Sequence, residues 1–372
     1  MTRYPILELC ARVEGHEYQH QLLREQCQGF SDWQPLLDQA EKEGMAPLLK
    51  LHLDQSGSSC PISAKRALHI LAKRHQHQAE VRSRMLGEIV DHFAENGLTP
   101  LILKGAALAY TLYPDPALRP MRDMDILLHP DEVDRGQELL RQFGFQQASS
   151  PIPPDHFHLP PLLTEKDDVK ICIELHRGLY PHCPPWYPEI SFARLLKTAR
   201  AFQVGNRQAL TFSNEETLHY LYQHALRAPL TYESYKLINI ADIIGFVENH
   251  GNNLDWKAIG THYPILLRAL PLLHHITPWN LEKIPKQFVP HTESKTFHTP
   301  KPFTGWPKKR RKELRVERKR LYRVLLDTFF PSRWWLGIYY GAATERERLR
   351  HLLKHHPLHI FWWVRLYRGI AK

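Results

Sequence analysis

The sequence predicts an α+β fold, a sheet-bearing core set between helical regions. Two changes of pattern carry this. Apolar residues keep helical spacing from residue 1 to about 88, and then give way to short apolar runs bounded by glycine and proline. After about residue 206 helical spacing returns. With 372 residues, 43% of them hydrophobic, the chain has room for two or three units with real cores. The regions read as 1–92, helical; 93–205, the core; 206–284, helical and packing on the core; and 285–372, a basic, Trp-rich helical region.

In the first region Trp33, Leu36, Leu37, Ala40, Leu48 and Leu49 fall near helical spacing, with Asp32 as a cap. A long helix begins at Ser63, carries Met85, Ile89 and Phe93 along one face, and stops at Gly97. Leu101 to Leu103 reads as a buried strand closed by Lys104-Gly105, and Ala106 to Tyr113 as a helix. Pro114 to Pro120 is a loop with three prolines. Met124 to Leu128 reads as a second strand, Pro130 to Phe143 as a helix ended by Gly144, and Lys170 to Leu175 as a third strand. Between these last two, Pro151 to Pro161 holds five prolines and reads as a loop or flap. Residues 208 to about 248 read as helical, 285–309 as a linker, and 312–329 and 344–367 as further helices.

Cys10, Cys27, Cys60, Cys172 and Cys183 are odd in number and widely spaced. With no CxxC pair, reduced thiols are expected and a structural zinc site is not. The N-terminus lacks a secretory pattern, and no stretch approaches the roughly 18 apolar residues of a membrane span. The expectation is a cytoplasmic protein, with peripheral attachment at a membrane surface left open. The net charge of +10 is unevenly placed: residues 281–372 hold 22 Lys/Arg against 7 Asp/Glu. Such asymmetry suits an anionic partner, nucleic acid or membrane, and equally a solvated basic face.

The chemistry centres on Arg122-Asp123-Met124-Asp125. Residues i and i+2 of a strand share a face, so Asp123 and Asp125 lie together and Met124 points away. Like charges held this close repel, and a divalent cation removes the repulsion. Glu174 follows 49 positions after Asp125, in the third strand, and can complete the set. The expected ligands, and catalytic residues, are therefore Asp123, Asp125 and Glu174, for Mg²⁺ or Mn²⁺. Upstream, the turn at Lys104, Gly105 and Ala106 offers backbone amides and an ammonium to phosphate.

The segment LILKGAALAYTLYPDPALRPMRDMDILL resembles an uncharacterised bacterial nucleotidyltransferase family of the polymerase-beta-like superfamily. The matching features are Lys104-Gly105, Tyr113-Pro114-Asp115, Arg119-Pro120, Asp123-x-Asp125 and Glu174-Leu175-His176-Arg177. Asp32-Trp33, Ala46-Pro47-Leu48-Leu49, His219, His224, Asp242, Leu254-Asp255-Trp256 and Phe330-Pro331-Ser332 extend the likeness over most of the chain. The resemblance implies a small mixed sheet with helices on one face. It further implies transfer of a nucleoside monophosphate from an NTP to an acceptor: a small molecule, a protein or RNA. Gly105-Ala106 departs from the Gly-Gly or Gly-Ser of the superfamily, so no serine hydroxyl assists at the phosphate turn.

Plainer readings stand beside these. Asp123 and Asp125 can be solvent-facing residues of an edge strand. Arg119 and Arg122 can meet a triphosphate or pair with the carboxylates, and His176 can touch phosphate or serve structure. His219 and His224, five apart, are not a helical metal pair. His156 and His158 lie in the proline-rich loop, either covering the site or simply in a loop. Five of the nine tryptophans, Trp306, Trp334, Trp335, Trp362 and Trp363, fall in the basic region. There they can grip single-stranded nucleic acid, meet a membrane or pack in a core. The alternative to an enzyme is a nucleic-acid-binding or anionic-surface-binding protein on a nucleotidyltransferase-like scaffold.

Overall fold

A computed structural model describes residues 4–149, 152–153, 155–180, 189–227, 235–286 and 328–370. The chain divides into two compact units, residues 1–60 with 218–372 and residues 61–217. The long helix predicted to close the N-terminal region thus belongs with the sheet.

The chain opens with four short helices, α1 (Pro5–Leu9), α2 (Glu17–Cys27), α3 (Trp33–Glu43) and α4 (Ala46–Ser56). Trp33, Leu36, Leu37 and Ala40 of α3 are buried, so the helical spacing marks a true apolar face. His52 on α4 is fully buried, with Nε2 donating to the Arg12 carbonyl at 2.9 Å. Burial pulls its imidazole down to about 4.

The sheet unit begins with α5 (Ile62–Glu95), the longest helix described. There follow β1 (Leu101–Ile102), α6 (Lys104–Thr111), β2 (Met124–Leu127), α7 (Val133–Gln142) and β3 (Gln146–Gln147). After them come β4 (Leu162–Lys166), β5 (Val169–His176), α8 (Phe192–Lys197), β6 (Arg200–Val204) and β7 (Arg207–Thr211). The seven strands form one mixed sheet in the order β3-β4-β5-β2-β1-β7-β6. Pairs β2–β5 and β1–β7 are parallel, and the other four are antiparallel.

The sheet is larger than the three strands expected. Residues 207–211 form β7, although helix is predicted from 208, and helix begins only with α9 (Asn214–Leu226). Burial alternates along β6 and β7, and Val204 faces Arg207 across a two-residue turn. Gly205 there has φ +60°, as the first central residue of a type II′ hairpin requires. The segment's other neighbour is distant: Leu210 pairs with Leu101. That long-range pairing overrides the local pattern.

One core joins the helices to one face of the sheet. Met85, Ile89 and Phe93 of α5, Ala106 of α6 and Leu140 of α7 share it with Met124, Ile126, Ile171, Ile173 and Leu175. Each large apolar side chain so buried contributes about 1.5–3 kcal/mol. Gly136 lets α7 come close, because a Cβ there would collide with Leu128 Cδ1. Since Met124, Ile126, Ile173 and Leu175 point into this core, the alternating positions Asp125, Glu174 and His176 take the opposite face.

The remaining helices of the first unit are α10 (Leu237–His250), α11 (Trp256–His262), α12 (Pro264–Ala269), α13 (Arg333–Tyr340), α14 (Glu345–Arg350) and α15 (His356–Ile370). A five-residue π segment, His351–His355, joins the last two. Buried Glu248 accepts from Arg12 and from the amide of Asn280, so the α10 carboxylate ties the N-terminal segment to a distant loop. Trp334, Trp335 and Trp363 are buried, and Trp334 Nε1 donates to the Leu272 carbonyl at 2.9 Å. These three indoles therefore serve packing. The basic run at 308–312 and Trp306 lie outside the described residues, as do nearly all of the predicted linker (285–309) and helix (312–329). Among the described residues, no helix is long and apolar enough to cross a membrane. Cys10, Cys27, Cys60 and Cys172 are free thiols, and Cys183 is not among the described residues.

Candidate metal centre

Two adjacent strands supply the site. In the parallel pair β2–β5, Asp125 is registered with Glu174, and Leu127 with His176. Paired residues project to the same side, so the register sets two carboxylates and an imidazole on one patch. His176 Nε2 lies 2.8 Å from Asp125 Oδ1 and 3.9 Å from Glu174 Oε2. Asp125 is not a residue of an edge strand: it is buried, on a strand with neighbours on both sides.

Lys104 closes the site from below. Its Nζ donates to Asp125 Oδ1 at 3.0 Å. The sequence placed a tight glycine turn here, yet the left-handed residue is Lys104 itself, with φ +46°. A non-glycine residue in that region is strained by about 1–2 kcal/mol. Gly105 serves a different purpose, namely space. A Cβ on it would stand 3.3 Å from the Arg119 guanidinium and 3.2 Å from Met121 Cγ. The helix α6 begins at Lys104, two residues earlier than expected, so the Gly105 and Ala106 amides belong to its first turn. Amides there have no carbonyl one turn back within the helix.

The electrostatics follow from this packing. Burial alone would raise the Asp125 carboxyl, but the Lys104 ammonium and then His176 hold it well below the usual carboxylate range. Glu174 goes the other way. Burial first, then the charges of Asp125 and Asp123, push it up to about 7. Cys172, two residues before Glu174 and on the same strand face, is pushed up to about 12 by burial and the same three carboxylates. These surroundings disfavour its thiolate.

The proline-rich segment also reaches the site. His158 forms a bridge to His176, and Leu159 N donates to Leu175 O at 2.8 Å, so residues 157–159 run antiparallel beside the end of β5. They are one residue out of step with β4, where Leu162 pairs with Ile173. The step falls across Pro160-Pro161. Leu159 and Leu162 are three apart, yet both enter the core, which leaves His158 on the carboxylate face. Its Nε2 is 3.9 Å from Glu174 Oε2. Burial pulls the His158 imidazole down to about 4. The sequence named this histidine but not its direction, because a bulge inverts the alternation rule.

Among the described residues one group can hold a metal ion: Asp125, Glu174 and His176, whose ligand atoms lie within 4.8 Å of one another. The donor set fits a divalent cation, since a buried pair of carboxylates calls for positive charge. Asp123 is exposed just before β2 and outside this group, though close enough to act on Glu174 and Cys172. Arg119 is buried, with NH1 donating to the Pro120 carbonyl at 2.8 Å, and Arg122 is exposed. Ala106 is buried in the core beneath the turn. His219 is buried in the helical unit, stacked on Tyr263 at 3.7 Å, and Asp242 is buried in α10.

Carboxylates on neighbouring strands that could hold a cation, with a lysine-bearing turn beside them, are an arrangement suited to phosphate chemistry. The chain is more narrowly placed by its sequence: it belongs to an uncharacterised nucleotidyltransferase family, whose model matches residues 30–263. The match takes in the whole sheet and every residue of the metal centre. No curated protein and no solved structure matches the chain.

Proposed function

We propose that the protein moves a nucleoside monophosphate from an NTP to a hydroxyl-bearing acceptor (a small molecule, a protein or RNA) on a polymerase-beta-like core, in a reaction that needs a divalent cation. The observation that carries this reading is the register of Asp125 with Glu174 across β2 and β5. Family membership supports it independently.

In this reading Asp125 and Glu174 hold the cation, Mg²⁺ or Mn²⁺, and Asp123 at the mouth joins them when nucleotide arrives. Once bound, the cation would offset charge on the phosphate oxygens and ease loss of the acceptor's proton. Lys104 fixes the Asp125 carboxylate and places a second positive charge beside the phosphates. The first-turn amides of Gly105 and Ala106 face the triphosphate, and Arg119, seated against Gly105, and Arg122 add guanidinium groups. His176 orients Asp125. The acceptor oxygen bonds to the α-phosphorus, the bond to the bridging oxygen breaks, pyrophosphate leaves, and the acceptor's proton passes to water.

The test is transfer from each α-labelled NTP, with Mg²⁺ or Mn²⁺, into fractions of RNA, protein and metabolites. Label that wild type transfers and Asp125→Ala does not would establish the reaction, and the labelled fraction would name the acceptor. A nucleic-acid- or surface-binding role gains ground if nucleotide and metal binding are both absent.

The last helices favour one further reading of the C-terminal region. Leu353 and Phe361 are 70% and 63% exposed, beside exposed Arg350, Lys354 and Arg365. Apolar side chains among cations suit an anionic lipid surface. Sedimentation with anionic but not neutral vesicles, retained in Asp125→Ala, is the expected result.

A further inference from the structure

We infer that the base of the NTP stacks on the rings of His156 and Phe157, beside the carboxylates, and that Arg177 meets a phosphate of the same nucleotide. The inference rests on the nucleotidyl-transfer reading and adds the seat of the base, which that reading leaves unplaced.

Three rings stand together where the proline-rich segment meets the end of β5. His156 lies on Phe157, with centroids 4.2 Å and planes 30° apart. His158 is edge-on to both, at 4.2 and 4.9 Å. Phe157 and His158 in turn rest against the buried ring of His176, at 5.7 and 5.3 Å. Since His158 Nε2 is 3.9 Å from Glu174 Oε2, the rings adjoin the carboxylates directly.

The stack ends unfinished. His156 meets Phe157 with one face, and among the described residues no ring covers the other. His156, Phe157 and His158 are all half-buried, so solvent still reaches them. A pair of stacked rings that ends in such a face can receive a third flat ring, and every nucleobase offers one.

The backbone holds the rings ready. His156 N donates to Pro153 O at 3.0 Å, and Phe157 O accepts from the amides of Arg177 and Gly178 at 3.0 and 3.1 Å. His158 N donates to His156 Nδ1 at 3.4 Å. Pro153 on one side and Pro160-Pro161 on the other restrict the chain further. A platform fixed beforehand loses little freedom when a ligand arrives.

Arg177 is an independent sign of an anion. It follows His176 at the end of β5, close enough to act on the His156 imidazole. Its Nε is buried without a hydrogen-bond partner, and no carboxylate among the described residues pairs with it. A guanidinium donor shut off from water is costly until an acceptor meets it, and a phosphate does so with two oxygens.

The experiment uses the full chain with Mg²⁺ or Mn²⁺. Calorimetry compares ATP, UTP and inorganic triphosphate, and photolabelling with 8-azido-ATP locates the base on the wild type. ATP should bind at least about tenfold more tightly than triphosphate, with UTP between them because its ring is smaller. The double variant His156→Ala, Phe157→Leu should bind ATP no better than triphosphate and leave triphosphate affinity unchanged. Arg177→Gln should weaken both, and the label should fall within residues 155–159. Equal affinity for ATP and triphosphate, an ATP advantage that survives loss of both rings, or label confined to other segments overturns the inference. Triphosphate affinity unchanged in Arg177→Gln overturns the arginine's part in it. In each of these cases bound triphosphate leaves the reaction standing, whereas failure of both ATP and triphosphate to bind with either cation sinks the reaction as well. The label map decides even if the double variant does not fold.

Discussion

Asp125 and Glu174 face each other across the parallel pair of β2 and β5, and their different neighbours drive the two carboxyl groups in opposite directions. Asp125 has Lys104 and His176 to hold its charge. Glu174 has burial and two acidic neighbours. Two similar side chains thus begin unlike, one ready as an anion and the other awaiting a cation.

Neutralising either carboxylate tests the proposed reaction directly. Asp125→Asn and Glu174→Gln should each lower nucleotidyl transfer by more than about a hundredfold, the scale seen when an electrostatic contributor to the transition state is lost. Melting temperature should change little in Glu174→Gln, because removing a repelled charge relieves strain. Transfer at the wild-type rate in Glu174→Gln would remove that residue from the mechanism.

Cation removal and acidification should act together. Glu174 must give up its proton to bind a cation, and its carboxyl stands at about 7 without one. Below that pH a cation competes with the proton, so Mn²⁺ affinity should fall by up to about tenfold per pH unit, and binding should release a proton. Calorimetry in two buffers of different ionisation enthalpy, between pH 8 and 6, measures both. EDTA should abolish transfer and added Mn²⁺ restore it. Affinity that ignores pH would speak against Glu174 as a ligand.

The backbone of Lys104 makes a separable prediction. Lys104→Ala and Lys104→Gly both lose the bond to Asp125, but only glycine sits at φ +46° without strain. The glycine variant should therefore be the more stable of the two by about 1 kcal/mol in urea unfolding. Both should weaken nucleotide binding.

His52 predicts an acid limb in the stability of the helical unit. Its folded value, about 4, is depressed from 6.5. Above 6.5 the ring is neutral in both states and nothing is lost. As pH falls from 6.5 toward 4 the unfolded chain takes up a proton that the native chain refuses, so stability drops, by up to about 3 kcal/mol. His52→Gln keeps a donor for the Arg12 carbonyl and should flatten this limb in melts followed from pH 7 to 4.5.

The site was legible where period-two alternation holds. Asp125 and Glu174 each sit between apolar residues that enter the core, so their shared face could be read from the letters alone. Where alternation fails, so did the reading. His158 is turned by a bulge, and Lys104 takes a left-handed conformation that sequence reserves for glycine. The missing strands had a different cause. β7 is fixed by a partner more than a hundred residues away in sequence, although Gly205-Asn206 was a hairpin signal in plain view.

The double proline before β4 gives the segment a sensitivity that side-chain substitution would not reveal. Removing one residue there would take up the step and leave His158 opposite His176, whereas continuing the β4 pairing with every residue in place would turn His158 inward and Leu159 outward together. Which way His158 turns is thus decided in one dipeptide, by whether the surplus residue is bulged out of the ladder. Related chains that keep a histidine here should carry either the bulge or one residue fewer between it and β4.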